Sequence, residues 1–249
     1  MRVPELLSII VQIAKQKGYS APFICGGAPR DKVMGKLENV DDLDITTGDV
    51  TVRQLAKDTA KQLGPNAHYL GFPDGHSQIN IDGVKLDFSS NFISPGIMDK
   101  LARAGLEDPT PMQKELYSRD FTANSLLMSM DLKTIQDPLG VGIADIKRRI
   151  IRTCLPAEVT LNDDPRRIAR AIYLAAKLGF ELDPEIVEWV KTHRHAINRA
   201  KPRYVTQKLV QAFKYNRAQT PQLIDQLGLW KHVRISKEFM PVVGNLGRT

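Results

Sequence analysis

Asp42 and Asp44 stand two residues apart in the run Asp41-Asp42-Leu43-Asp44-Ile45-Thr46-Thr47. On an extended segment residues i and i+2 project to the same side, so the two carboxylates can hold one or two divalent cations against a triphosphate. Upstream, Phe23-Ile24-Cys25 reads as the end of a buried strand, and Gly26-Gly27 would let backbone amides approach an anion before a helix starts. Pro29 fits the first turn of that helix, Arg30 would lie over the phosphates, and Asp31 would hold Arg30 in place. The glycine pair alone also fits an ordinary strand, turn and helix; joined to Asp42 and Asp44 in one strand–helix–strand unit, it points to phosphoryl chemistry. In Val84-Lys85-Leu86-Asp87-Phe88, alternation puts Val84, Leu86 and Phe88 on the core side and Asp87 on the other. Three carboxylates on adjacent strands repel one another unless cations stand between them, which is the arrangement of a two-metal phosphoryl-transfer site. The alternative for Asp87 is a solubilising charge on an edge strand.

A second constellation lies in Asp163-Asp164-Pro165-Arg166-Arg167-Ile168-Ala169-Arg170-Ala171. On one helix Asp164 and Arg167 would share a face and Arg170 would continue the row. A carboxylate accepts from an exocyclic amino group and a guanidinium donates to a ring nitrogen or carbonyl, a pairing able to accept C or A while refusing G and U. The charge spacing by itself favours a salt-bridged surface helix.

Taken in order, the run Gly26 to Asp31 with Gly35, the Asp42-Leu43-Asp44 pair, Ser118-Arg119-Asp120-Phe121-Thr122-Ala123-Asn124-Ser125-Leu126 and the Asp163–Ala171 segment resemble the motifs of the class II tRNA nucleotidyltransferase and bacterial poly(A) polymerase family, over about residues 20 to 235. The resemblance implies an α+β fold with a polymerase-beta-type nucleotidyltransferase head followed by an all-helical neck and partial body. It implies an enzyme that adds nucleotides to RNA 3′ ends without a template, with Mg2+ in a two-ion site, CTP and ATP as substrates, and the tRNA 3′ end as acceptor. By position, Gly26, Gly27 and Arg30 resemble the triphosphate-contacting residues and Asp42 and Asp44 the metal-binding pair. Asp87 is the candidate third catalytic carboxylate. Arg119 and Asp120 fall in the motif that contacts ribose and phosphates; Asp164 and Arg167 occupy the base-reading positions, with Arg170 one turn later. Three positions depart from the family pattern: Ser118 stands where many relatives have arginine, Asp163 replaces a glutamate, and the strand around Asp87 differs from the usual acidic strand ending in Thr-Phe-Arg. CCA addition is the leading expectation. Poly(A) addition, partial addition of CC or A, and a catalytically silent RNA-binding module are the alternatives.

The elements that must position these residues follow from periodicity. Leu6–Lys17 reads as a helix stopping at Gly18, and Val52–Leu63 as another. Gln78–Ile81 and Val84–Phe88 form a hairpin across Asp82-Gly83. Prolines and glycines mark 92–111 as a mobile loop with a short helix near Ile97–Ala104. Phe121–Met130 is expected to be a helix behind the site, with Asn124 on its polar side. Ile135–Gly140 reads as strand and turn, and Ile150-Ile151 as a short extended piece. From Pro156 onward the spacing of Ile168, Ala171, Ile172, Ala175 and Leu178 predicts an all-helical domain, giving a head over 1–155 and a helical neck and RNA-positioning domain over 156–249.

At 249 residues and 42% hydrophobic, the chain is long enough for two cores; its length is that of a compact enzyme or of a shortened chain. Two cysteines, Cys25 and Cys154, give no disulfide framework and no clustered zinc motif. A net charge of +7 fits a polyanionic partner. Without a signal peptide or an apolar run long enough for a membrane, a cytoplasmic enzyme is expected. The basic succession Lys191, His193, Arg194, His195, Arg199, Lys201, Arg203 and Lys208 is either a phosphate-contacting surface or a solvated helix face; Arg199, Lys201 and Arg203 are the candidate tRNA contacts. Trp189 and Trp230 are read as helix packing, and the histidines as surface or local hydrogen-bonding groups.

Overall fold

A computed structural model describes residues 2–37, 40–89 and 96–234. The chain divides into two compact units, Met1–Arg148 and Arg149–Thr249. In the first, chain order is α1 (Val3–Lys17), β1 (Phe23–Cys25), α2 (Gly27–Val33), β2 (Asp42–Thr46), α3 (Thr51–Leu63), β3 (His68–Gly71), β4 (Ser77–Ile81), β5 (Val84–Phe88), α4 (Ile97–Arg103), α5 (Pro111–Tyr117), β6 (Leu127–Met128), β7 (Ile135–Gln136) and α6 (Gly142–Arg148). The seven strands form one sheet in the order β3-β4-β5-β2-β1-β6-β7. β2 and β5 run parallel, while their other neighbours are antiparallel. β5 is thus an interior strand, and the edge-strand alternative for Asp87 does not hold.

The two-residue period of the strands sorts this sheet into an apolar and a chemical face. Leu43 and Ile45 of β2, Leu86 and Phe88 of β5, and Ile24 of β1 are buried in one core with Leu6, Leu7, Ile10 and Ile13 of α1 and Val52, Leu55 and Ala56 of α3. Asp42, Asp44, Lys85 and Asp87 alternate with those residues and so belong to the opposite side. There, Cys25 packs with Leu116 of α5 and Leu127 of β6. α1 ends where expected, with Gly18 at φ 68°. The hairpin turn is Asp82 (φ 49°) and Gly83 (φ 80°), the left-handed pair that tight antiparallel turns require.

Three expectations change. Phe121–Met130 is not a helix: a single 3-10 turn, Thr122–Asn124, leads into β6. The Ser125 hydroxyl donates to the carbonyls of Phe121 and of Leu116 in α5, and the Thr122 hydroxyl to Asp145 of α6, which ties this turn to two neighbouring helices. The buried run Leu126-Leu127-Met128 then gains ladder bonds with β1 and β7 instead. The 92–111 segment contains the expected short helix, α4, and ends where α5 begins, at Pro111, a start fixed by the Thr110–Gln113 capping box; residues 92–95 of that segment lie outside the described residues. Among its described residues the second unit is helical apart from one pair of strands, so it is not the all-helical domain expected.

That unit comprises β8 (Ile150–Ile151), α7 (Ala157–Asp163), α8 (Arg166–Leu178), β9 (Glu181–Leu182), α9 (Pro184–Thr192), a 3-10 segment Arg194–Arg199, α10 (Pro202–Tyr215) and α11 (Gln219–Gln226). β8 and β9 pair in parallel, because Gly179 at φ 68° stops α8 and returns the chain alongside Ile150 and Ile151. Ile168, Ala171, Ile172, Ala175 and Leu178 are buried on the inner face of α8, as their spacing predicts.

Leu43 lies between the two β2 aspartates and is fully buried. Leu43→Ala should cost about 2–5 kcal/mol in a denaturant titration; a loss below 0.5 kcal/mol, on the order of a surface substitution, would show that the α1/α3 face does not anchor β2.

Candidate active site

Asp42 and Asp44 face the same side of β2, and in the parallel register Asp42 stands opposite Lys85 and Asp44 opposite Asp87. Lys85 Nζ lies 3.2 Å from Asp42 Oδ1 and is ion-paired with Asp87 as well. These two carboxylates outweigh the partial burial of Lys85 and raise its pKa. Gln78 of β4 donates to Asp87 Oδ1 at 2.9 Å. Asp42 is exposed and Asp44 half-buried. Burial pushes the Asp44 carboxyl above its ordinary pKa, Asp87 and Asp42 push it further, and Arg119 and Lys85 oppose them.

The glycine pair has a more specific use than amide exposure. Gly26 adopts φ 74° and ψ −128°, and a Cβ there would lie 2.0 Å from Asp44 Oδ2. Gly27 has Arg30 above it, with Nη2 3.2 Å from where a Cβ would be. The two residues without side chains therefore seat the acidic and the basic member of the site. Arg30 is almost fully buried; its Nε donates to Asp31 Oδ1 at 2.9 Å and its Nη1 to Asn124 Oδ1 at 2.7 Å. Asp120 Oδ1 accepts from Asn124 Nδ2 at 3.2 Å and from the Phe121 amide at 2.9 Å. Asp120 is buried and acts on Arg30 through Asn124.

Arg119, an expected nucleotide contact, lies against Glu115, Ser89 and Cys25. Its side chain is 9% exposed, and Nη2 reaches Glu115 Oε1 (2.9 Å), Ser89 Oγ (3.1 Å) and Cys25 Sγ (2.8 Å). Cys25 pairs with Asp44 in the β1–β2 ladder, so this guanidinium is a counter-charge underneath the acidic cluster. Burial pushes the Cys25 thiol up to about 12, which keeps it protonated. Lys85, Glu115 and Gln78 are the site residues the sequence reading missed. Lys85 was legible as the i−2 neighbour of Asp87 on an alternating strand, and Glu115 from its i,i+4 spacing to Arg119.

Among the described residues no group of three or more His, Cys, Asp or Glu side chains is gathered as a metal cage. A hard cation that takes one or two carboxylates and completes its shell with substrate phosphates and water needs no such cage. The all-oxygen donors Asp42, Asp44 and Asp87, with a lysine ammonium already drawn between two of them, suit such an ion.

In the second unit Asp164 departs from the helical row. It sits between α7 and α8 with φ −130° and ψ 89°, because Pro165 disfavours helical geometry at the residue before it. Its carboxylate is held by Arg166, at 2.8 Å to Nε and 2.9 Å to Nη2, while Arg167 Nε is 3.9 Å away. Burial would raise the Asp164 pKa, but the Arg166 and Arg167 charges outweigh it and the pKa is lowered. Arg167 and Arg170 share α8 as expected. Arg199, Lys201 and Arg203 are all exposed; Arg199 Nη2 donates to the Asn162 carbonyl (3.0 Å) and side chain (2.8 Å), while Lys201 and Arg203 open α10.

The two glycines make a paired test. Gly26→Ala must both accept a backbone conformation unfavourable by about 1–3 kcal/mol and displace the Asp44 carboxylate. Gly27→Ala places a Cβ 3.2 Å from Arg30 Nη2, which needs to give by only a few tenths of an ångström. Thermal denaturation should therefore show a loss of several degrees for Gly26→Ala and little for Gly27→Ala; equal losses would contradict the seating of Asp44 over Gly26.

The family model of the poly A polymerase head domain matches residues 22–152, more than half of the chain. The chain is 34% identical to an A-adding tRNA nucleotidyltransferase of Aquifex aeolicus, over 64% of its own length and 19% of the relative's. It is 31% identical to a CC-adding tRNA nucleotidyltransferase of Geobacter sulfurreducens, over 76% of its own length and 39% of the relative's. It thus spans less than half the length of either protein. Among solved structures, the Bacillus stearothermophilus CCA-adding enzyme in complex with CTP superposes with a TM-score of 0.72 at 25% identity, covering 94% of this chain and 54% of that one. The chain belongs to the class II tRNA nucleotidyltransferase and poly(A) polymerase family.

Proposed function

We propose that this protein adds C and A residues to the 3′ end of tRNA, drawing on CTP and ATP and releasing pyrophosphate. The observation that supports this reading most is the conjunction of Asp42, Asp44 and Asp87 on paired strands with Arg30 locked over the following helix turn. Asp42 and Asp44, with Asp87 beside them, would hold Mg2+ in a two-ion site; when bound, the ions supply positive charge against the triphosphate and acidify the attacking 3′-hydroxyl. Arg30, fixed by Asp31 and Asn124, presents its charge to the phosphates with little reorganisation. Lys85 neutralises Asp42 and Asp87 in the free protein and would move toward the phosphates as they arrive. Asp164 and Arg167 would present an acceptor and a donor fork to the Watson–Crick edge of the incoming base. Arg166 competes for Asp164, so base reading would require that ion pair to open or to be shared. Arg199, Lys201 and Arg203 are proposed to contact tRNA phosphates, and a cytoplasmic site of action goes with that substrate.

A second reading, addition of only CC or only A, is favoured by one observation: the relatives at 31% and 34% identity are named for those partial activities. Purified protein should be given each nucleotide separately with tRNAs ending before CCA, after C and after CC, and the products sequenced. C on the first two acceptors and A on the third supports full CCA addition. Activity on one class of end alone assigns the partial reading, and runs of A on any end assign poly(A) addition. Asp42→Ala should lower addition by at least about 1000-fold, since it removes charge stabilisation needed in the transition state. Asp164→Ala should flatten the nucleotide preference while leaving tRNA affinity within about twofold; lost tRNA binding with an intact preference would assign this residue to the RNA instead.

A further inference from the structure

The helices α8 (Arg-Arg-Ile-Ala-Arg-Ala-Ile-Tyr-Leu-Ala-Ala-Lys-Leu) and α10 (Pro-Arg-Tyr-Val-Thr-Gln-Lys-Leu-Val-Gln-Ala-Phe-Lys-Tyr) pack on each other and contain no aspartate or glutamate. On α8, Arg166, Arg170, Tyr173 and Lys177 recur at one-face helical spacing, as do Tyr204, Lys208, Gln211 and Tyr215 on α10. The two rows meet along a seam of alternating cations and aromatic rings. Arg166 Cζ lies 6.0 Å from the Tyr204 ring centroid, Lys208 Nζ 5.9 Å from Tyr204 and 4.7 Å from Tyr173, and Lys177 Nζ 5.5 Å from Tyr215. Tyr173 and Tyr215 meet edge to face at 5.8 Å. The Arg166 side chain is 59% exposed, Tyr215 is 55% exposed and Lys177 is exposed. From Arg166 to Lys177 the seam extends roughly 16 Å along α8, the length of a few nucleotides.

We infer that this seam is a binding track for single-stranded RNA, its cations on the phosphates and its tyrosines stacking on bases. A solvated face made for stability intersperses both signs of charge. Here neither helix contributes an acid, and Asp164, which lies before α8, grips Arg166 at the seam's end. Rings interleaved with cations are the pattern that binds single strands without reading sequence, because every base offers a π face and every nucleotide a charge. The residues differ from Arg199, Lys201 and Arg203, and the track contains no base-edge reader, so its role is to hold the acceptor strand rather than to select a nucleotide. This inference deepens the tRNA reading above and rests on it.

The test uses the full chain and a fluorescein-labelled unstructured RNA 12-mer, with polyglutamate of equal charge as competitor. Lys177→Gln/Lys208→Gln should weaken RNA binding about tenfold and make the slope of log affinity against log salt shallower by about 1.4, since each single-strand phosphate contact contributes roughly 0.7. Tyr215→Ala, at an exposed position and checked for retained fold by circular dichroism, should weaken binding by about tenfold without changing the slope, because stacking releases no counterions. If the parent binds RNA and extends tRNA while both variants match its affinity and slope, the track is wrong and the proposed function stands. If the parent neither binds RNA nor extends tRNA, both fall. Equal displacement by polyglutamate would assign the seam to an acidic protein and overturn the RNA inference.

Discussion

The Asp44 carboxylate sets the terms for the head. It is partly buried, next to two other carboxylates, and its raised pKa records that desolvation and repulsion both oppose its charge. The surroundings supply what a buried anion needs. Gly26 leaves room directly beside Asp44 Oδ2, Arg119 stands behind the β1–β2 ladder on Glu115, Ser89 and Cys25, and Lys85 draws Asp42 and Asp87 together in front. Neutral or apolar residues at these positions would relieve the same strain at less electrostatic cost. The arrangement is therefore one whose repulsion an arriving cation would relieve.

The sheet converts this local demand into geometry. Because β2 and β5 are parallel neighbours in the interior, the carboxylates share a register fixed by backbone hydrogen bonds. Because Leu43, Ile45, Leu86 and Phe88 are buried against α1 and α3, a slip of one residue would exchange the acidic and apolar faces. Arg30 is held in the same spirit, by Asp31 on its own helix and by Asn124 from the 3-10 turn that Asp120 secures.

Much of this was legible in the chain itself. Alternation in Val84–Phe88 and Asp42–Thr46 gave the strands and the common face of the carboxylates, and Asp82-Gly83 gave the turn that joins β4 to β5. Short apolar runs were not legible: Leu126-Leu127-Met128 fits a helix or a buried strand until a partner strand is known, and β1 supplies it. Helical spacing misplaces Asp164 because Pro165 disfavours helical geometry at the residue before it and so overrides the periodicity. The inward turn of Arg119 depends on Glu115, Ser89 and Cys25 converging from three segments, which no local pattern encodes. The seam of α8 and α10 is intermediate: each row can be read from its own helix, but the alternation of ring and cation exists only once the two helices are packed together.

Whether the β2 carboxylates hold a divalent cation together with a triphosphate can be read from titration of Mn2+ by electron paramagnetic resonance, with and without CTP. Binding to the parent protein should be weak without CTP and tighten by at least about tenfold with it, since phosphates complete the coordination shell. In Asp44→Asn, checked for retained fold by circular dichroism, the CTP-dependent gain should disappear. An Asp44→Asn protein that binds Mn2+ and CTP as tightly as the parent would contradict the claim.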